Sequence, residues 1–423
     1  MTYYTATKVT VKHALQHWQI FSSGTMNLSR LTNLIDLLSL QRAAVYAIST
    51  MVVGCFLICY DFARAPQEIS GSVDFPAFYN AGRILNEYPR GSLYDQALQH
   101  RLYLEVAPAS AEDRYFAYTP FFAILFMPLA LLSHSAAFIC WIGISLGLFA
   151  AGFWLTWSAA NLPVRYRTRS FLIALSFLPF FAWCVLAGQA SAFGFFWLAL
   201  AVYLDRKNPF ASGWALAMLL YKPPLLILLV PMLFVTKRWR TLVGFSIASA
   251  LLVLISFAVI GFHGVWSYLD MLRMFSHAKA AGNVTRLEID LFSFFSAFVG
   301  GRVATWCAVG LALVVAPFLV SAWRQSPKMA WALAITWMLI LNFYMLIYDT
   351  TFIILAVLIF ISTFELSRLL RWLLVAVFLV PWPEIVVVRR FGLQIMTIVL
   401  VAFGVYQLAK LRTTARAISD RSP

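Results

Sequence analysis

Charged residues are scarce in this chain. They make up 12% of its 423 residues, and 62% are hydrophobic, whereas a soluble domain carries roughly 25% charged residues. A soluble protein of this length has no core large enough to hide so much apolar surface. The composition therefore excludes a soluble globular protein. It predicts an all-α polytopic membrane protein, because each membrane-spanning helix needs ~20 mostly apolar residues.

Cysteine is also rare, and several short motifs are missing. The five cysteines all lie in apolar segments, and no histidine accompanies the closely spaced Cys55 and Cys59. We therefore expect neither a disulfide nor a metal site. The chain has no Walker motif, no Gly-rich nucleotide loop and no Gly-x-Ser-x-Gly elbow. A nucleotide-sugar or ATP site has no support, and we expect no cofactor.

Acidic residues are outnumbered, with 17 Asp and Glu against 32 Lys and Arg. No basic stripe is interleaved with aromatic residues, so we expect no nucleic-acid partner. The basic residues instead cluster in short loops at 237–240, 324–328, 368–371 and 410–416. The positive-inside rule places these loops in the cytoplasm. We expect a cytoplasmic segment at 1–42, without a cleavable signal peptide, and a cytoplasmic tail at 411–423.

Apolar segments recur between residues 43 and 410, which we interpret as one membrane domain with about 11 to 13 spans. A first span at 43–61 precedes a polar, extracytoplasmic loop at 62–116 with short helices near 75–87 and 93–106. A second outer loop is predicted at 263–302, with a short helix at 289–299. The other predicted segments are 118–132, 136–159, 170–187, 191–204, a broken 210–236, 241–262, 303–322, 329–347, 351–366, 370–381 and 391–409.

The sequence leaves open whether the middle segments cross the membrane an odd or an even number of times. Arg165, Arg167 and Arg169 resemble a cytoplasmic loop. They lie on that side only if residues 118–159 make a single crossing. A single kinked pass over 210–236 is easier than two short ones, because 210–221 would reach only ~18 Å as a helix.

Four polar residues stand at or near membrane depth, where ionisable groups are costly and usually functional. Asp74 follows the first span, Gln189 lies between two apolar runs, Lys222 precedes two prolines, and Asp349 separates two spans. Asp74 has the alternative role of a helix N-cap, Gln189 of satisfying backbone at a helix break, and Asp349 of a plain loop residue. Lys222 beside a proline-broken helix is a good anion site, and phosphate is the expected anion.

Five motifs follow one another along the chain. They are Asp74-Phe75 with Tyr79 and Ala81, Gly91-Ser-Leu-Tyr94-Asp95, Phe116-Ala-Tyr118-Thr-Pro120, Gly188-Gln189 with Lys222-Pro223, and Tyr348-Asp349. Together they resemble the GT-C superfamily of membrane glycosyltransferases and, within it, glycosyltransferase family 87. The similarity covers roughly residues 43–410, and the chain departs from the family pattern at Thr119 and Ser191.

The resemblance implies transfer of a hexose, often mannose, from a polyprenyl-phosphate donor to a lipid or glycan acceptor on the outer face of a bacterial inner membrane. It implies an inverting reaction with Asp74 as the general base. The leaving phosphate needs cationic or hydrogen-bonding neighbours, for which Lys222, Gln189 and Arg83 are candidates. Substrate-binding candidates are Tyr79, Tyr94, Tyr118, His263 and Asp349. Tyr118 has the alternative role of an interfacial anchor, and His263 that of a surface histidine.

Two other functions compete with transfer. A lipid or sugar-lipid transporter also keeps Lys, Asp and Gln at broken helices, although transporters usually show inverted repeats. We see no internal repeat in this sequence. A non-catalytic membrane assembly protein would not need Asp74 beside the first span.

Overall fold

The computed structural model describes residues 39–64, 74–107, 115–280 and 288–419. The predicted segment 1–42 lies almost wholly outside these ranges, as do parts of both predicted outer loops and the end of the tail. The described chain is built from helices: α1 Leu40–Arg64, α2 Phe75–Glu87, α3 Gln96–Val106, α4 Pro120–Ala123, α5 His134–Ala160, α6 Val164–Leu175, α7 Ser191–Leu204, α8 Pro209–Ala217, α9 Leu229–Val235, α10 Trp239–Ala280, α11 Leu291–Val299, α12 Gly301–Gln325, α13 Pro327–Ile340, α14 Ile353–Ile361, α15 Arg368–Leu379, α16 Pro381–Phe391 and α17 Ile395–Ser419.

The prediction of an all-α polytopic membrane protein is confirmed. Five described helices are long and apolar enough to cross a membrane, and two bent helix pairs raise that number to seven. The predicted 11 to 13 spans also counted shorter apolar helices, which lie at Ser191–Leu204, Pro209–Tyr221, Pro223–Val235, Pro327–Ile340 and Ile347–Ile361. Because each of these has fewer than ~20 residues, length alone does not make it a span.

Short and broken helices surround the polar residues predicted at membrane depth. Residues 118–132 contain only α4 and two 3₁₀ turns. The stretch 118–159 therefore holds one helix of spanning length, α5, which is the condition that puts Arg165, Arg167 and Arg169 with the other basic loops. The predicted break in 210–236 is confirmed: α8 gives way to 3₁₀ turns on either side of Lys222 before α9 begins.

The predicted segment 241–262 ends where the helix breaks. Within α10, Gly261 has non-helical backbone angles (φ 66°, ψ −174°), and a second helical stretch follows it up to residue 280. The part of the predicted second outer loop at 263–280 is therefore helical, and Asp270 and Arg273 pair along its surface, with 2.9 Å between Oδ1 and Nη1. The predicted short helix at 289–299 is present as α11.

Close backbone contacts hold α8 against α10. A side chain at Gly213 would meet the carbonyl oxygen of Thr241 at 2.0 Å, and one at Gly244 would meet that of Phe210 at 2.1 Å. Only glycine permits this approach at both positions. The contact fixes the helix that leads into Lys222 against the longest helix of the fold.

Candidate active site

Asp74 stands immediately before α2, within the predicted first outer loop. Its main-chain N–H donates to the carbonyl of Ala187 (3.0 Å), and that of Phe75 donates to the same oxygen (3.2 Å). The Asp74 carboxylate makes no capping hydrogen bond to α2. Its alternative role as a helix N-cap is therefore not the one that the structure shows.

Gln189 orients the Asp74 carboxylate. Its Nε2 donates to Asp74 Oδ2 at 2.9 Å, while its Oε1 accepts the main-chain N–H of Ala190 at 2.9 Å. The preceding Gly188 has a positive φ of 73°, and a side chain there would meet Phe75 Cβ at 2.7 Å. Glycine is required at 188 because this turn brings Gln189 against α2.

Tyr118 extends the network. Its hydroxyl donates to Gln189 Oε1 at 3.1 Å, and its phenol lies close enough to Tyr348 for the two to interact electrostatically. The ring stacks on Tyr221, with 5.8 Å between centroids and 3° between planes. Tyr118 is thus held by Gln189 and Tyr221, and it lies between the Asp74 end of the site and Tyr348.

Lys222 and Asp349 form a buried ion pair, although 127 residues separate them in the sequence. Lys222 Nζ lies 2.5 Å from Asp349 Oδ2, and their side chains are 6% and 0% exposed. The same carboxylate oxygen accepts the main-chain N–H of Leu346 at 2.9 Å. The Lys222 ammonium also lies over the rings of Tyr348 (4.7 Å) and Tyr344 (5.5 Å).

The two groups form one continuous cluster. Tyr118 and Tyr348 lie close enough to both Asp74 and Asp349 to interact electrostatically with each carboxylate. One end therefore presents a carboxylate held by a neutral amide, and the other a cation balanced by a carboxylate. A proton acceptor and a cation within one polar cluster can serve a reaction that removes a proton and releases an anion.

Three of the candidate residues from the sequence lie away from this cluster. Arg83 makes ion pairs with Glu105 (2.8 Å) and Glu87 (3.3 Å). Tyr79 is buried, and its hydroxyl donates to the Leu132 carbonyl at 2.9 Å.

His263 is exposed on α10 beside Gly91.

Tyr94, by contrast, supports the cluster through the main chain of Tyr118. Its hydroxyl donates to the Tyr118 carbonyl at 2.6 Å. Burial raises the pKa of the Tyr94 phenol, which keeps the hydroxyl protonated as a donor.

Asn342 was not singled out from the sequence. Its Nδ2 donates to the Pro224 carbonyl at 2.8 Å, which ties the break after Lys222 to the segment before Asp349. An asparagine following the apolar α13 was the available signal. Among the residues that the structure describes, no group of three or more His, Cys, Asp or Glu is placed to hold a metal ion.

Comparisons with known proteins place this chain in a family. No curated protein sequence and no solved structure matches the chain. A family model, that of glycosyltransferase family 87, matches residues 116–348, which include Tyr118, Gln189 and Lys222. The match covers more than half of the 423 residues, and this multi-pass membrane protein therefore belongs to glycosyltransferase family 87.

Proposed function

We propose that this glycosyltransferase moves a hexose, mannose in the first instance, from a polyprenyl-phosphate donor to a lipid or glycan acceptor. The observation that carries the proposal is the single cluster in which Asp74 and Lys222 are joined through Gln189, Tyr118 and Tyr348. A donor carried by a lipid fits a site among broken membrane helices. The sequence has no nucleotide-binding motif that would hold a nucleotide-linked donor instead.

Asp74 is the proposed general base. The acceptor hydroxyl gives its proton to the carboxylate of Asp74 as its oxygen attacks the anomeric carbon. The new glycosidic C–O bond forms on the face opposite the sugar–phosphate bond, which breaks in the same step. Its electron pair leaves with the polyprenyl phosphate, so the reaction inverts the anomeric configuration. The Gln189 amide aims the carboxylate without neutralising it.

Lys222 is the proposed partner of the leaving phosphate. An ammonium group has three N–H donors, and one of them is directed to Asp349. Tyr344 lies over the ammonium and is 37% exposed, so Lys222 sits one aromatic ring below the protein surface. Low polarity around the site strengthens its attraction for the negative charge that develops on the phosphate.

The charge pattern supports the proposed side of the membrane. The basic loops favour the cytoplasm, and the loop that carries Asp74 follows the first span from that side. We therefore propose an extracytoplasmic active site in the bacterial inner membrane, where a lipid-linked donor replaces a nucleotide sugar.

Purified protein in lipid nanodiscs, incubated with radiolabelled polyprenyl-phosphate mannose and candidate acceptors, tests the proposal. We expect a labelled product of inverted configuration, and no product from a nucleotide-linked mannose. Transfer that survives in Asp74→Asn would contradict the general-base role. Lipid or sugar flux across vesicles, without transfer from any polyprenyl-phosphate sugar, would favour a transporter instead.

A further inference from the structure

A short segment at the start of α11 pairs with the chain just before Asp349. Glu288 and Leu346 form an isolated antiparallel β-bridge, and the Ile289 N–H donates to the Met345 carbonyl at 2.8 Å. On the opposite side, the Thr397 hydroxyl on α17 donates to the Ile289 carbonyl at 2.8 Å. Residues 288–290 are thus fixed between the last helix and the segment that leads into the site.

Asp290 uses its two carboxylate oxygens for different tasks. Its Oδ1 caps α11 by accepting the Ser293 N–H at 2.9 Å, and it also lies 2.9 Å from the Ser293 hydroxyl, which contacts Glu288 as well. Its Oδ2 accepts the main-chain N–H of Met345 at 3.0 Å. Capping alone needs one oxygen, which serine or asparagine supplies as well. A fully buried carboxylate at 290 is costly, and its second bond reaches outside the helix.

The bond between Asp290 and Met345 lies one residue before the chain that holds the Lys222–Asp349 ion pair. Met345 is followed by Leu346, whose N–H holds Asp349 Oδ2, the same oxygen that faces Lys222. At the other end of the segment, Asn342 holds the carbonyl of Pro224. The segment 342–346 is therefore held at two points. Asn342 binds the chain just after Lys222, and Met345 precedes the N–H that binds Asp349.

We infer that Asp290 is a positioning residue for the phosphate site. Through the Met345 backbone it sets the Leu346 N–H, and thereby the placement of Asp349 and Lys222 against the phosphate of the lipid donor. This inference rests on the proposed function, because the phosphate role of Lys222 is itself proposed. Asp290 touches neither the donor nor the reacting atoms in this account.

Three variants separate positioning from capping. Asp290→Ser keeps an N-cap oxygen but is too short to bond Met345. Asp290→Asn keeps the size of the side chain and exchanges one of its two acceptor oxygens for a donor. The matched control is Ser293→Ala, which removes the hydroxyl shared by Glu288 and Asp290 in the same buried cluster and leaves the Asp290–Met345 bond in place.

The measurement is the affinity of each protein, in nanodiscs, for undecaprenyl phosphate and for undecaprenol. The wild type is expected to prefer the phosphate. Asp290→Ser should bind undecaprenyl phosphate about tenfold more weakly, since a buried bond that aligns the site is lost. Its affinity for undecaprenol should stay unchanged, and Ser293→Ala should match the wild type for both lipids. Asp290→Asn replaces Asp290→Ser in this test if the serine variant does not fold.

The outcomes distinguish the positioning role of Asp290 from the phosphate-binding role of Lys222. A wild type that prefers the phosphate, together with an Asp290→Ser variant of equal affinity, overturns the positioning role alone. Equal weakening by Ser293→Ala also overturns it, because the cluster would then act only by supporting the fold. A wild type that binds both lipids equally removes the phosphate site itself, and the positioning role with it.

Discussion

The two carboxylates of the site are held in opposite ways. Asp74 is half-buried and accepts a hydrogen bond from the neutral amide of Gln189. Asp349 has no exposed surface and faces the charged Lys222. A carboxylate bound by an amide keeps its charge for an incoming proton, whereas one bound to an ammonium has its charge balanced already. The difference assigns proton removal to Asp74 and the organisation of Lys222 to Asp349.

The largest expected effect comes from Asp74→Asn. Asparagine keeps the size of the side chain but cannot take a proton from the acceptor, so the transfer rate should fall by about 10²–10⁴-fold. Affinity for undecaprenyl phosphate should stay near the wild-type value. Asp95→Asn is the matched control in the same loop: Asp95 caps α3 through the Leu98 N–H, and asparagine caps equally well. Equal loss in both variants would contradict a special role for Asp74.

Removing the cation of the Lys222–Asp349 pair should lower stability as well as activity. Lys222→Met leaves the Asp349 carboxylate buried without its cation, which costs about 3–5 kcal/mol when one partner is removed. We expect a lower unfolding temperature and a loss of transfer of about 10²–10³-fold. The double variant Lys222→Met with Asp349→Asn removes both charges, and it should regain stability without regaining activity. Recovery of transfer in the double variant would show that the cation is dispensable.

Gln189→Ala sharpens the comparison at the Asp74 end. The carboxylate loses its amide donor and Tyr118 loses its acceptor, while every charge is kept. Small misplacements of a catalytic group cost up to about 10²-fold in rate, so we expect a loss smaller than that of Asp74→Asn. Rates measured at saturating donor and acceptor check this order. A Gln189→Ala variant slower than Asp74→Asn would reverse the assigned roles.

The smallest effect is expected from Arg83→Gln. Arg83 remains a predicted phosphate ligand, but its guanidinium is paired with Glu87 and Glu105 in the outer loop. Partly exposed pairs of this kind contribute about 0–1 kcal/mol each. We expect transfer within about twofold of the wild type and a slightly lower unfolding temperature. A tenfold loss of transfer at unchanged unfolding temperature would instead connect Arg83 to the phosphate.

Local signals in the sequence were enough to predict much of the fold. The helix at 75–87 ends before Pro89 and Gly91, and α7 matches its predicted bounds of 191–204, because apolar runs bounded by breakers are local features. Helix α16 was missed. It begins at Pro381 and ends before Gly392 (φ 66°), which is the usual order of proline and glycine around a helix. Its arginines and glutamate gave it the polarity of a loop.

The side-chain pairings in the site could not be predicted from local signals in the sequence. Asp74, Gln189, Lys222 and Asp349 were each identified because polar groups at membrane depth are costly. Which side chains meet depends on packing between helices that are distant in the sequence. The Asp74–Gln189 and Lys222–Asp349 contacts span 115 and 127 residues. Asp290 carried no such signal, since an acidic residue before a short outer helix is also what an ordinary N-cap looks like.

Asp74 is attached to Ala187 through its main chain and to Gln189 through its carboxylate. These two contacts limit the sequence changes that the segment around residues 187–189 tolerates. Residues 187–189 follow a π-helix at Pro179–Leu186, whose wider turn holds one more residue than an α-helical turn. If one residue were lost and the wide turn were kept, each following side chain would take its neighbour's place, a rotation of ~100°. A different residue would then face Asp74. The segment should accept conservative replacements more readily than any change in its length.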